Sequence, residues 1–285
     1  MNDLSFIIFL VKIQRKLKNY IFSSGETDLA NRAFTMGDAV KVSFFIRDSK
    51  LIMDEECYFF LMASMRKMRL NIPLSYTLEF FQNLFNEEVI VGKSVQNAII
   101  NFLAYRNNDG TTLSKSSVSY FYEVNEVSDV LEIHQRALEL DLIKEINVNT
   151  NLLSNIRVHS PENIYGSIYA EENDLDDVIF LNPNKRIART TLGNLLFLEE
   201  NIIKIPKHTE GAYISPLLEN FVTFVHKNKL ADIQEHEMIA FESQKAEEIL
   251  LISDEKGIFS VGKIRNKTFA TSRFSDLVKQ WRESF

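Results

Sequence analysis

The stretch SNIRVHSPENIYG, residues 154–166, sets Arg157 two residues before His159 and just ahead of a Ser-Pro helix start. A guanidinium stays protonated at physiological pH, so Arg157 supplies fixed charge and directional donors but no nucleophile. His159 is of the type that moves protons near neutrality, and beside a helix start it serves equally well as a capping or surface residue. His134, His208, His226 and His236 show no metal-ligand spacing, and His-Glu-Met at 236–238 is not a zincin pattern, so no metal site is expected. The chain has no G-x-S-x-G, no Walker A loop and no dinucleotide glycine pattern. Its single cysteine, Cys57, lies in an apolar helical stretch and reads as an inert core thiol. One cysteine excludes an internal disulfide and a Cys-based zinc site, and makes a reducing compartment, the cytoplasm, the expected location.

The elements that must position these residues belong to a globular chain. It has 285 residues, 45% hydrophobic and 25% charged, enough for one large or two ordinary domains. A formal charge of −7 argues against a general nucleic-acid binder, which needs clustered cations facing phosphates. The apolar run Leu4 to Val11 is too short to span a bilayer and lacks the order of a signal peptide; it is expected to pack on the body, with a membrane-touching amphipathic helix as the alternative. Met62, Met65 and Met68 fall at helical spacing and read as core.

Only 9 glycines and 5 prolines leave little room for linkers. Val40 to Ile46 alternates as a strand, with Val40, Val42, Phe44 and Ile46 on one face and Lys41, Ser43 and Phe45 on the other. Residues 55–70 and 74–89 read as helices separated by Pro73, and 97–105 and 118–124 as strands of a hairpin around an Asp-Gly turn. Six short strands follow, at 176–182, 186–192, 194–200, 201–206, 247–253 and 259–264, punctuated by helices beginning near Ser160, Ser215 and Ser275. Ser160-Pro161 and Ser215-Pro216 fit a start in which serine accepts an orphan amide and proline follows where no N–H is needed. The expected division is a small N-terminal α/β domain, 1–124, and a larger strand-rich α/β domain, 125–285.

Several segments, in order, resemble the class IV aminotransferase family, the fold-type IV pyridoxal-phosphate (PLP) enzymes that include branched-chain and D-amino acid aminotransferases and aminodeoxychorismate lyases. NRAFTMGDAVKV is similar to the family's N-R-x-F-x-Y-G-D-G-x-F-E segment, and DEECYFFLMASMRKMRLNIP to its E-x-H-x-x-R-L helix. YRNNDG is similar to its arginine-glycine turn and YAEENDLDDVIFLN to the helix and strand after the Schiff-base lysine. RTTLGNLLFL resembles E-x-T-x-S-N-L-F, EGAYISPLLENFV the segment ending G-I-T-R, and EEILLISDEKGIFSV the closing strand with its T-N-x-x-G-I turn. The resemblance runs from about residue 31 to 265. It implies a two-domain α/β (α+β) fold with a C-terminal pseudo-barrel, a homodimer, and PLP held by a lysine Schiff base.

Residue by residue, the resemblance marks a divergent member. The lysine position falls on Arg157, or on Ile156 if the following helix sets the register. The acid that pairs with the pyridinium nitrogen corresponds to Arg189. The helix histidine and phosphate-binding arginine correspond to Cys57 and Phe60, and the G-I-T-R turn to Ser215–Leu218, where Pro216 lacks an amide and Leu217 a hydroxyl. Lys41 and Val42 stand for the aromatic and the acid of the first motif; Ser253 and Arg106 match positions that touch phosphate or shape the substrate entrance.

Two functional readings follow. In the first, PLP chemistry has been lost; Lys41, Arg106, Arg157, His159 and Arg189 outline a positive pocket for a small anion such as a carboxylate, or the protein pairs with a protein partner. Each arginine pairing with a neighbouring acid such as Glu162, or reaching solvent, is the plainer alternative for the pocket. In the second, the protein is an active aminotransferase or aminodeoxychorismate-lyase-like enzyme in which Lys41 reaches PLP.

Overall fold

A computed structural model describes residues 19–24 and 31–285, so the Leu4–Val11 run lies outside the described residues. Asn31 caps a short helix α1 (Arg32–Met36), ended by Gly37 in the left-handed region at φ 64°. The first sheet orders its strands β1 (Asn19–Ser23), β5 (Val118–Glu126), β4 (Ala98–Arg106), β2 (Ala39–Arg47) and β3 (Lys50–Ile52), all antiparallel. Helices α2 (Asp54–Lys67) and α3 (Leu78–Phe85) follow β3, and α3 runs on as a π-helical turn to Val91. α3 starts later than the apolar pattern suggests because the Thr77 side chain caps it at Phe80 N–H.

The even residues of β2 pack as expected: Phe44 meets Phe85 and Phe81 at centroid distances of 4.9 and 5.8 Å. The opposite face is not the polar face that alternation predicts, because Ser43 and Phe45 are buried as well. Ser43 donates to Asn101 Oδ1 at 2.7 Å on the neighbouring strand, and this face looks onto the second half of the chain.

The second sheet is larger, in the order β11 (Asp232–His236), β10 (Ile202–Pro206), β9 (Asn194–Glu199), β12 (Glu248–Ser253), β13 (Gly257–Ile264), β6 (Leu138–Leu142), β7 (Asp177–Leu181), β8 (Ile187–Thr190), with β14 (Lys267–Thr268) on β13. Its two ends approach each other: Ile187 N–H donates to Met238 O, and Arg186 bridges Ile239, so the sheet curls into a half-barrel. Alternate residues fill the inside, among them Leu138, Leu140, Ile179, Leu195, Phe197, Ile249 and Leu251. The residues between them, Leu196, Leu198, Leu250 and Ile252, face a second cluster continuous with the small sheet. Double-sided burial makes these strands near-continuous apolar runs.

β6 and β11 escape a pattern search. β6 is short and embedded in charged sequence although its leucines are buried at the sheet centre; β11 is a largely exposed edge strand, parallel to β10. Helices α4 (Pro161–Glu172) and α5 (Pro216–Lys227) begin as expected, with Ser160 and Ser215 accepting from Asn163 and Leu218 N–H. α6 (Ser272–Arg282) starts three residues before the expected Ser275, with no side-chain cap from Thr271, and buries Phe274, Leu277, Val278 and Trp281 on one helical face. No helix among the described residues is long and apolar enough to cross a membrane.

The turn between β8 and β9 is a fixed point of this arrangement. Gly193 lies so close to β12 that an added Cβ would sit 2.1 Å from Ile252 O, a backbone atom that cannot step aside. Gly193→Ala is expected to destabilise the protein by about 3 kcal/mol or more, the upper range for overpacking, read as a lower urea midpoint at unchanged slope.

Candidate functional site

A cleft of about 400 Å³ opens between the small sheet, the segment 157–160, the start of α4 and the turn joining β12 to β13. Its walls are stitched by backbone: Lys41 N–H donates to Arg157 O at 2.8 Å, an isolated bridge that ties β2 to the segment before α4. Gly37 lies against His159, where an added Cβ would sit 2.4 Å from the His159 Cβ. Lys41, Arg157 and His159 therefore line one cleft, together with Asn163, Thr191 and Glu255.

Glu255 is the residue that sequence reasoning missed. β12 ends at Ser253 and β13 begins at Gly257, whose φ of 99° suits glycine, so Asp254, Glu255 and Lys256 form a tight loop. The loop points its two acids at different partners. Glu255 Oε1 lies 3.3 Å from Arg157 Nε, and Oε2 3.0 Å from Lys41 Nζ. Arg157 is held further by Thr191 O at 3.2 Å and by Leu192 O, and its guanidinium lies over the Tyr213 ring, 4.0 Å from the centroid. Burial alone would raise the Glu255 carboxyl, but Arg157 and Lys41 hold it below its ordinary range. Burial likewise pulls Arg157 down, and Glu255, Tyr213, Asp254 and Asp177 together more than offset it.

Asp254 is partly buried at the start of α5, where its Oδ1 accepts from Ser215 Oγ at 2.6 Å and from Leu217 N–H at 3.3 Å. A carboxylate suits a helix N-terminus, yet burial prevails and the Asp254 carboxyl is pushed up to about 6, with the Ser215 hydroxyl and Arg157 only partly compensating. Cys57, Phe60, Ile156 and Leu217 all belong to the main core, and burial, then the charge of Asp254, raises the Cys57 thiol. Pro216 is buried at the first position of α5. Ser253 Oγ donates to Leu192 O at 2.7 Å and accepts from Lys256 N–H, so it fastens the loop to the β8–β9 turn.

The remaining candidates lie elsewhere. Arg106, expected in the pocket, is a structural tie: it pairs with Asp38 at 2.9 Å and donates to the carbonyls of Met68 and Arg69. Arg189 does not line the cleft; it sits beyond Tyr213, 4.2 Å over the same ring, beside a smaller cavity. Glu162 pairs with neither arginine and accepts from Ser160 Oγ at 2.9 Å. Tyr213 itself is fixed by Asn194, which accepts from its N–H and donates to its carbonyl, and by Asn163, which donates to its hydroxyl at 2.9 Å.

A five-stranded sheet beside a curled, strand-rich half-barrel, with a cleft between them, is the architecture of fold-type IV enzymes. The family model for amino-transferase class IV matches residues 61–264, so the chain belongs to that family. Among solved structures, it is similar to a branched-chain aminotransferase from Thermoproteus uzoniensis with norvaline, at a TM-score of 0.82 and 12% identity over 94% of each chain. A putative 4-amino-4-deoxychorismate lyase from Legionella pneumophila superimposes at 0.80 with 17% identity, over 92% of this chain and 96% of that one. The branched-chain amino acid aminotransferase of Escherichia coli does so at 0.79 with 14% identity over 93% of each. None of the curated proteins matches the sequence.

The raised Asp254 carboxyl carries a signed consequence. Folded, it keeps its proton up to about pH 6; unfolded, it ionises near its ordinary 3.8. Between those values the folded state binds more protons, so this group lowers stability as pH rises from about 4 to 6. Asp177, also raised by burial, acts in the same sense, and the depressed Glu255 in the opposite one, losing its contribution as pH falls. Asp254→Asn keeps an acceptor for Ser215. Its stability relative to wild type is expected to improve by about 2–3 kcal/mol between pH 4 and pH 7.5, at about 1.36 kcal/mol per pKa unit, in urea titrations across that range.

Proposed function

We propose that this member of the class IV aminotransferase family works without PLP chemistry, as a homodimer that binds a small anionic ligand or a protein partner. Glu255 carries the reading: its carboxylate takes up both the Arg157 guanidinium and the Lys41 amine, the only primary amine among the described residues lining the cleft. In the family a lysine condenses with the PLP aldehyde; on our alignment that position is Arg157 or Ile156, and neither side chain can form a Schiff base.

The residues do not fit the cofactor elsewhere either. A phosphate group at the start of α5 would meet the Asp254 carboxylate, which already takes the Ser215 hydroxyl and the Leu217 amide. Pro216 has no N–H to offer, and Cys57 and Phe60, which fall on the family's histidine and arginine positions in our alignment, are core side chains that offer no cationic donor. Arg189 on the ring-nitrogen position is a cation where a protonated pyridine needs an acid. These departures involve separate elements, which supports a coordinated loss rather than one shifted register. Fold alone is weak ground for assigning the chemistry.

One observation favours the second reading, an active transaminase or lyase: the Lys41 side chain is 40% exposed and borders the cleft, so an amine is within reach of a ligand there. Titration with PLP, borohydride reduction and intact mass separate the two. The expected result is no saturable aldimine absorbance and no added mass. A stoichiometric reduced adduct that disappears in Lys41→Ala would overturn the proposal in favour of the enzyme.

A further inference from the structure

Among the described residues two arginines are buried, and they differ in their partners. Arg106 has Asp38. Arg189 is 4% exposed and makes no ion pair with any described residue; its Nη1 donates to Gly211 O at 2.8 Å and more weakly to Ser154 O at 3.5 Å, while Nε has no acceptor. Nearby charge corrects this only in part. Arg157 lies over the same Tyr213 ring and repels it, Glu255 is committed to Arg157 and Lys41, and Glu162, which lines the same cavity, favours the Arg189 charge without pairing with it and accepts from Ser160 Oγ instead. Burial accordingly draws the Arg189 pKa down from its ordinary value, with partial relief from Tyr213 and Glu162. A buried guanidinium with no direct ion pair and an unpartnered N–H is an unfavourable arrangement for a fold to keep.

Arg189 lines a cavity of about 200 Å³, which flanks the segment 154–160 and shares Val158, His159 and Ser160 with the main cleft. At roughly 30 Å³ per water, that space holds about six or seven waters, ample for a small ion. Asn149 and Asn151 add amide groups at its edge. We propose that this cavity binds a small oxyanion, specifically a short-chain carboxylate, with Arg189 as its counter-charge. A planar carboxylate matches the planar edge of a guanidinium in two parallel hydrogen bonds, which a chloride ion cannot do. This deepens the binding reading above by naming the ligand class and moving its site from the main cleft to the Arg189 cavity.

The test uses the whole protein with sodium acetate as probe, chloride replacing acetate to hold ionic strength constant, and inorganic phosphate as competitor. Saturation-transfer NMR on labelled acetate is expected to give saturable binding with a dissociation constant below about 10 mM. Arg189→Met should weaken it at least tenfold. Asn149→Trp, at an exposed edge position that leaves the core untouched, should block it too and covers the case in which Arg189→Met does not fold. Lys41→Met, in the main cleft, should change it less than twofold. No saturable acetate signal up to 50 mM, equal binding by Arg189→Met, or loss in Lys41→Met would overturn the proposal, and phosphate binding tenfold tighter than acetate would overturn the carboxylate assignment. A PLP adduct on Lys41 would defeat the earlier reading while leaving the response of Arg189 to acetate intact.

Discussion

The ion pair between Arg157 and Glu255 is the interaction on which the meeting of the two sheets depends. Arg157 comes from the segment before α4, Glu255 from the tip of the β12–β13 hairpin, and Lys41 from the small sheet. Removing Glu255 would leave the largely buried Arg157 without its acid, which costs far more than the pair itself contributes, whereas removing the half-exposed Lys41 leaves Arg157 and Glu255 paired. The remaining donors of Arg157 go to the carbonyls of Thr191 and Leu192, so one guanidinium also fixes the turn whose Gly193 touches β12. The backbone bridge between Lys41 and Arg157 adds a second tie at the same place, and Asn101 Nδ2 on β4 reaches the Glu255 carbonyl.

The three-residue loop that carries Glu255 explains why the neighbouring acid behaves differently. Asp254 and Glu255 are adjacent in sequence and both partly buried, but only Glu255 meets two cations; Asp254 meets a hydroxyl and an amide. Their carboxyls are displaced in opposite directions for that reason. The helix N-terminus at Ser215 is thereby satisfied from within the chain. An internal carboxylate needs no loss of translational freedom to bind, so it holds such a position against an external anion with an entropic advantage.

How much of this was legible in the sequence depends on the range of the physics involved. Ser160-Pro161 and Ser215-Pro216 fix helix starts through neighbours three residues away, and both are found as read. The strands of the half-barrel announce themselves by apolar runs, whereas β6 and β11 do not, one masked by charged neighbours and the other an exposed edge. Ser43 and Phe45 show the limit of alternation: period two identifies the strand but cannot say that a second body will cover its other face. Side-chain pairing is less legible still. Arg106 has a donor set suited to a ligand, and only the fold shows that Asp38 and three carbonyls use it. Glu255 reads in sequence as a polar turn residue, because its partners arrive from two distant segments.

Arg157 and Arg189 make the same point about chemistry that the acids make about charge. Both guanidiniums lie over Tyr213 at nearly equal distances, so the ring does not distinguish them. What distinguishes them is the company on the far side: Arg157 has Glu255, and Arg189 has a cavity. The first is complete within the folded chain. The second is an incomplete arrangement of donors: Glu162 lines the same cavity without pairing with it, so the direct partner of the buried guanidinium is left, on the proposal above, to a ligand. On this argument the useful distinction among the basic residues is not how positive they are, since all carry the same charge, but which one the chain itself has left unpaired.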